Sequence, residues 1–109
     1  MKISQIQDAL GFVAVNLPEE DREISSVFCC DLLSLAMSRA PADCAWVTVM
    51  GNVNTAAVAL LADVSCIILA EGVMPDQGVK ETAEAKGINI LSSKESAYEI
   101  AKALHELGL

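Results

Sequence analysis

The stretch from Trp46 to Ala62 (Trp-Val-Thr-Val-Met-Gly-Asn-Val-Asn-Thr-Ala-Ala-Val-Ala-Leu-Leu-Ala) constrains the fold of this chain more than any other. Trp46 to Met50 is β-branched or bulky at most positions, as a strand requires. Gly51, Asn52 and Asn54 then break the run, and Asn52 or Asn54 is placed to cap a helix. That helix is apolar almost all round, which predicts that it is buried. In open α/β sheets, ligands sit at such a place: a polar turn that leaves the carboxyl end of a strand and opens a helix.

Flanking segments extend the pattern. Ile3, Ile6 and Leu10 recur at helical intervals, with Ser4 as a candidate cap and Gly11 as the stop. Phe12 to Asn16 reads as a short strand and Arg22 to Cys29 as a second. Asp31 to Arg39 reads as a helix with Leu32, Leu33, Leu35 and Ala36 as its buried stripe. After the Trp46 unit, Ser65 to Ala70 carries the continuous apolar run of a central parallel strand. A more polar helix is predicted from Asp76 or Gln77 to Lys86, then a strand from Ile88 to Leu91. Ser93 is expected to cap a last helix running to Leu107, with Glu95 in its first turn and Lys102 and His105 near its end. Alternation of strand and helix from Trp46 onward predicts a three-layer α/β/α sandwich with a mainly parallel sheet. One domain over residues 1–109 is expected at this length.

Charge and hydropathy exclude several classes. Fifteen acidic against seven basic residues leave a net charge of −8, and such a surface repels a phosphate backbone, so nucleic-acid binding is not expected. No apolar run reaches the roughly 18 residues that span a bilayer. The N-terminal segment lacks an apolar signal core, so the expected location is the cytoplasm with no membrane association.

Reactive residues are few. Cys29, Cys30, Cys44 and Cys66 have neither the C-x-x-C pairs nor the histidine partners of a zinc site. They read as structural thiols, with Cys30, just before the Asp31 helix, as the candidate redox residue. His105 has no carboxylate or nucleophile tied to it by spacing. Arg22 stands beside Asp21 and is placed either to pair with acids or to hold an anion. Polar groups collect in three loops at strand carboxyl ends: Thr48, Asn52, Asn54 and Thr55; Glu71 and Gly72; Ser92 and Ser93. Helix capping alone accounts for Asn54 and Ser93. Together, the three loops form adjacent polar mouths where helix N-termini offer amide N–H groups to an anion.

The chain resembles the DRTGG domain in its stand-alone form, a small α/β module also found beside CBS domains in some pyrophosphatases and in phosphotransacetylases, and related to the N-terminal region of bifunctional HPr kinase/phosphorylases. Asp31-Leu-Leu-Ser looks like the family's recurrent helix start, with Cys30 where a glycine is common. Thr48 and Asn54 match a Thr…Asn pattern around the polar turn, followed by Ala57-Val58-Ala59. Ile67-Ile68, Pro75-Asp76, Leu91-Ser92 and the closing Tyr98…Leu107-Gly108 also look familiar. The Asp-Arg pair of the family name aligns best with Asn52-Val53, and its Thr-Gly-Gly with Ala70-Glu71-Gly72. Val53 cannot clamp an anion as arginine does, and Glu71 puts a side chain and a negative charge where glycine would leave room. The resemblance implies a regulatory or dimerising module.

Without a P-loop, a nucleophile–base pair or a metal cluster, no catalytic activity and no cofactor are expected. The function expected is a non-catalytic regulatory module that senses a small anionic or nucleotide ligand at the strand carboxyl ends. Its alternatives are a ligand-free interaction subunit of an enzyme or signalling complex and, less favoured, a thiol redox sensor. A homodimer is expected from two features. Apolar residues make up 53% of the chain, and Leu32, Leu33, Leu35, Ala36 and Met37 cover more than one stripe of their helix.

Overall fold

In the computed structural model, which describes residues 1–109, helix α1 (Ile3–Leu10) leads into strands β1 (Val13–Asn16) and β2 (Ser26–Cys29). Helix α2 (Leu33–Arg39), strand β3 (Cys44–Thr48) and helix α3 (Val53–Ala62) follow. Strand β4 (Cys66–Leu69), helix α4 (Gln77–Lys86), strand β5 (Ile90–Ser92) and helix α5 (Ala97–Glu106) complete the chain. The strands form one sheet in the order β1-β5-β4-β3-β2. β2, β3, β4 and β5 run parallel, and β1 pairs antiparallel with β5 at the edge. The α/β sandwich with a mainly parallel sheet is the predicted architecture.

Period-2 alternation divides the central strands between two cores. Trp46, Ile67, Leu69 and Ile90 face α2, α3 and α4, where Ala36, Ala56, Ala59, Val79 and Ala83 let the helices approach closely. Val47, Cys66, Ile68 and Leu91 face the other way, toward Ile3 and Ile6 of α1 and Ile100 and Leu104 of α5. Every residue of β3, β4 and β5 is buried, as expected of parallel strands covered on both sides. None of the helices is long and apolar enough to cross a membrane.

Several boundaries differ from the sequence expectations. Gly11 ends α1 in the left-handed conformation (φ 69°), but Lys2 rather than Ser4 is its N-cap. The third strand is Cys44–Thr48, two residues earlier than Trp46–Met50. Asp31 does not start α2, because its carboxylate is taken by the next loop, and the helix begins at Leu33. Ser93 does not cap the last helix: its Oγ accepts from Glu95 N–H at 3.1 Å in the preceding turn. Ser96 is the cap, accepting from Glu99 N–H at 3.2 Å, and Glu99 is the acid of the first turn.

The leucine stripe predicted as buried is the largest departure. Only Ala36 of α2 is buried; Leu32 is 61% exposed, Leu35 40% and Met37 52%. Nor is α3 buried all round, since Val53, Ala57, Leu60 and Leu61 are exposed. These four recur at i, i+4, i+7 and i+8, a continuous apolar stripe on the outer side of a helix that packs beside α2.

All four cysteines are free. Burial pushes the Cys44 thiol up to about 11 and the Cys66 thiol up to about 12 from an ordinary 9.0. With folded values above the unfolded one, these thiols contribute stability that is full below about pH 9 and is lost as the pH rises toward 11–12. Denaturant titrations are expected to show stability declining across that window. The double variant Cys44→Ala/Cys66→Ala should show a flatter decline, and an equal slope in both proteins would refute this origin.

Candidate functional site

At the carboxyl ends of β2 and β3, the loops are tied to each other by Thr48 and Asp31. Thr48 Oγ1 donates to Asp31 Oδ1 at 2.8 Å, and Val49 N–H donates to the same oxygen at 2.9 Å. Thr48 Oγ1 in turn accepts from Met50 N–H at 3.2 Å. Asn52 is the cap of α3, its Oδ1 accepting from Asn54 N–H at 3.0 Å and Thr55 N–H at 3.2 Å. The Asn54 side chain is exposed, whereas Thr55 is buried with an unpartnered hydroxyl. Most of the polar atoms of this mouth are therefore engaged in holding loops and a helix end.

Next to it, the loops that follow β4 and β5 are laced together. Glu71 N–H donates to Glu95 O at 2.8 Å, Gly72 N–H to Ser93 O at 2.9 Å, and Ser93 N–H to Leu69 O at 2.9 Å. Glu71 and Gly72 both adopt positive φ, at 60° and 69°. Beside this lacing lies a cleft of about 300 Å³, at the small end of ligand-binding sites. Val13, Ala14 and Val15 of β1 line it together with Met74 and Gly72 from the β4–α4 loop. Lys80 of α4, Ser92 at the end of β5, and Ser93 and Lys94 just beyond it supply the polar groups.

The cleft gathers two basic side chains and no acidic one in an acidic chain. The ion pairs of the protein are the N-terminal ammonium with Glu23, and Arg22 with Asp43 and Asp63; neither Lys80 nor Lys94 takes part in one. The lining contains no carboxylate, histidine or cysteine. Ser92 is 8% exposed, and its hydroxyl makes no hydrogen bond within the chain. Unlike the enclosed hydroxyls of Ser26 and Thr55, it keeps access to solvent, and it lines the cleft.

The structure thus brings Gly72, Ser92 and Ser93 together in one cleft, while Thr48, Asn52, Asn54 and Thr55 belong to the neighbouring mouth. Arg22 lies at the opposite, amino-terminal end of the sheet. Its guanidinium donates to Asp43 Oδ1 at 3.0 Å, Asp63 Oδ1 at 2.9 Å and Asp63 O at 2.8 Å. Burial opposes its charge, but the hydrogen bonds to Asp43 and Asp63 outweigh this and raise its pKa. Both aspartates have positive φ, at 63° and 57°, so Arg22 clamps the two tight turns that enter β3 and β4. Cys30 is half-buried just beyond β2, its Sγ donating to Leu32 O at 3.4 Å. The neighbouring Cys29 thiol is pushed up by burial and by Asp31. No three His, Cys, Asp or Glu side chains gather as a metal site would need.

Sequence reasoning did not single out Val13, Ala14, Val15, Met74, Lys80 or Lys94. Lys94 adjoins Ser93 and Lys80 lies on the predicted polar helix, but nothing local indicates that β1 docks beside β5 and closes the cleft.

The family model for the DRTGG domain matches residues 12–107. The chain belongs to the DRTGG domain family. A solved structure with the same fold is the CBS and DRTGG regulatory region of Clostridium perfringens pyrophosphatase, crystallised with its activator diadenosine tetraphosphate. The TM-score is 0.75 at 14% identity, over 93% of this chain and 44% of that one, so the chain spans less than half the length of that neighbour. No curated protein sequence matches it significantly.

Glu71 holds a left-handed backbone that glycine would adopt without strain. Val53 is 51% exposed and forms part of the apolar stripe of α3.

Proposed function

We propose that this DRTGG domain is a non-catalytic, cytoplasmic regulatory module that takes a small anion at the carboxyl end of β5 and self-associates through α2 and α3. The observation that carries the ligand half is the cleft. It holds two lysines outside any ion pair and the unbonded Ser92 hydroxyl in a chain of net charge −8. No hydrogen bond joins its serines to its lysines as a nucleophile and base would be joined, which favours binding over chemistry. Family membership and the regulatory region that shares the fold support a regulatory role. In this reading residues 1–109 act as one unit, and Gly72, Ser92 and Ser93 are the ligand-side residues among those expected from sequence.

A thermal-shift screen with nucleotides and phosphorylated metabolites tests the ligand half. A ligand at a hundred times its Kd stabilises the folded state by about 2.7 kcal/mol, which a melting curve resolves. No shift with any anion would leave the second reading, an interaction subunit without a small ligand.

Self-association rests on the exposed stripe Val53, Ala57, Leu60 and Leu61 beside Leu32 and Leu35. A contiguous apolar face of this kind marks an interaction site, and two-fold pairing is the usual outcome for identical chains. Light scattering is expected to give about twice the chain mass of 11.5 kDa. Leu61→Asp, at a position 73% exposed, should return the monomer with an unchanged fold. A wild-type protein already at the monomer mass would reject this.

A further inference from the structure

We infer that the β1–β5 cleft is built for a compact phosphate monoester with an aliphatic body, and not for a nucleotide. This rests on the proposal that the module takes a small anion, and adds which one. Lys80 and Lys94 approach the cleft from two different elements, the first turns of α4 and the turn after β5, and no carboxylate of the protein neutralises either. Two free ammonium groups match a dianion; a monocarboxylate would leave one of them unanswered inside an otherwise acidic molecule. Ser92, 8% exposed and without a hydrogen bond, supplies a hydroxyl at the same end of β5. Phosphate oxygens are strong acceptors for such donors.

The body of the ligand is set by the remaining walls. Val13 and Val15, two apart on β1, share one side of the strand, and Met74 adds a third apolar side chain to the lining. The lining includes no aromatic ring on which a base could stack and no Asn, Gln, Asp or Glu to read its edge. At about 300 Å³ the cleft has room for a small ester and not for two nucleosides. Val13 is 63% exposed, so an unoccupied cleft leaves apolar surface in water that an alkyl group would cover.

Calorimetric titration of the full chain with n-butyl phosphate, inorganic phosphate, AMP and diadenosine tetraphosphate tests this. Butyl phosphate is expected to bind at least tenfold tighter than inorganic phosphate or AMP. The double variant Lys80→Gln/Lys94→Gln should lose at least tenfold, and Ser92→Ala severalfold. Val13→Glu, which places a carboxylate in the cleft from an exposed edge-strand position, should abolish binding with an unchanged melting temperature. Tighter binding of AMP or diadenosine tetraphosphate that still depends on the two lysines would overturn the ligand class while leaving the anion-sensing module intact. Anion binding indifferent to all four substitutions would overturn this cleft as the site. Absence of binding by any of the four compounds at millimolar concentration would overturn both.

Discussion

Replacing Trp46 with alanine is expected to destabilise the protein by about 3–5 kcal/mol, the range for deleting a fully buried aromatic side chain. Trp46 is 0% exposed and heads the larger side chains of the core, at the centre of β3 between β2 and β4. Its neighbours Ala36, Ala56 and Ala59 are small and backbone-mounted, so they cannot collapse into the space it leaves. The indole also donates from Nε1 to Cys30 O at 2.9 Å, tying the β2–α2 connection to the sheet. Domains of this size unfold with about 5–15 kcal/mol in hand, so the loss is a large share of the total. Trp46→Phe separates the contributions: it keeps most of the packing, gives up the hydrogen bond, and should cost about 1–2 kcal/mol. Urea unfolding followed by far-UV circular dichroism measures both, and a loss under 1 kcal/mol for Trp46→Ala would contradict the packing.

Asn89→Ala is expected to cost about 3 kcal/mol even though it removes little apolar surface, because buried donors and acceptors are left unpaired. Asn89 is 2% exposed just before β5. Its Nδ2 donates to Ser65 O at 3.0 Å and Glu19 O at 3.1 Å, and its Oδ1 accepts from Glu19 N–H at 2.9 Å. One amide therefore pins the β1–β2 connection to the entries of β4 and β5. Asn89→Asp should be nearly as damaging near neutral pH, since a carboxylate retains the acceptor but faces two carbonyl oxygens with no proton to offer. Glu19→Ala should be close to neutral, because only the backbone of Glu19 is used and its side chain is exposed. Equal stabilities of Asn89→Ala and Glu19→Ala would show that the amide does not pin the turn.

The two substitutions also bear on the site. Trp46 packs at the middle of the sheet and Asn89 holds the entries of β4 and β5, and the cleft depends on β5 ending where it does. Because neither lines the cleft or hydrogen-bonds to Lys80, Lys94 or Ser92, their effect on ligand binding should follow the fraction of folded protein and not the intrinsic affinity.

Short-range signals carried the elements. Ile3, Ile6 and Gly11 mark α1, the Cys-Ile-Ile-Leu run marks β4, and Asn52 caps α3, because propensity, caps and breakers act within a few residues of chain. The same locality explains the misplacements. Asp31 carries a good N-cap side chain, but a long-range hydrogen bond from Thr48 claims it and the helix starts later. Ser93 and Ser96 are equally good caps by composition, and the lacing of Ser93 to the β4 loop decides between them.

Polarity and charge were readable from residue types; their partners were not. Leucines on α2 and α3 look alike whether they face the sheet or the solvent, and only the position of the helices over β3 and β4 leaves Leu32, Leu35 and Leu61 outside. Arg22 could be recognised as a cation needing acids, but Asp43 and Asp63 are 21 and 41 residues away, and their meeting depends on two strand entries lying side by side. The cleft is the clearest instance. Gly72, Ser92 and Ser93 followed from the rule that ligands gather at strand carboxyl ends, whereas Val13 joined them only because β1 docks antiparallel on β5, and Lys80 only because α4 packs against that edge. Periodicity and caps define a strand or a helix within its own few residues, but edge pairing is settled by which apolar surfaces remain uncovered once the whole sheet has assembled.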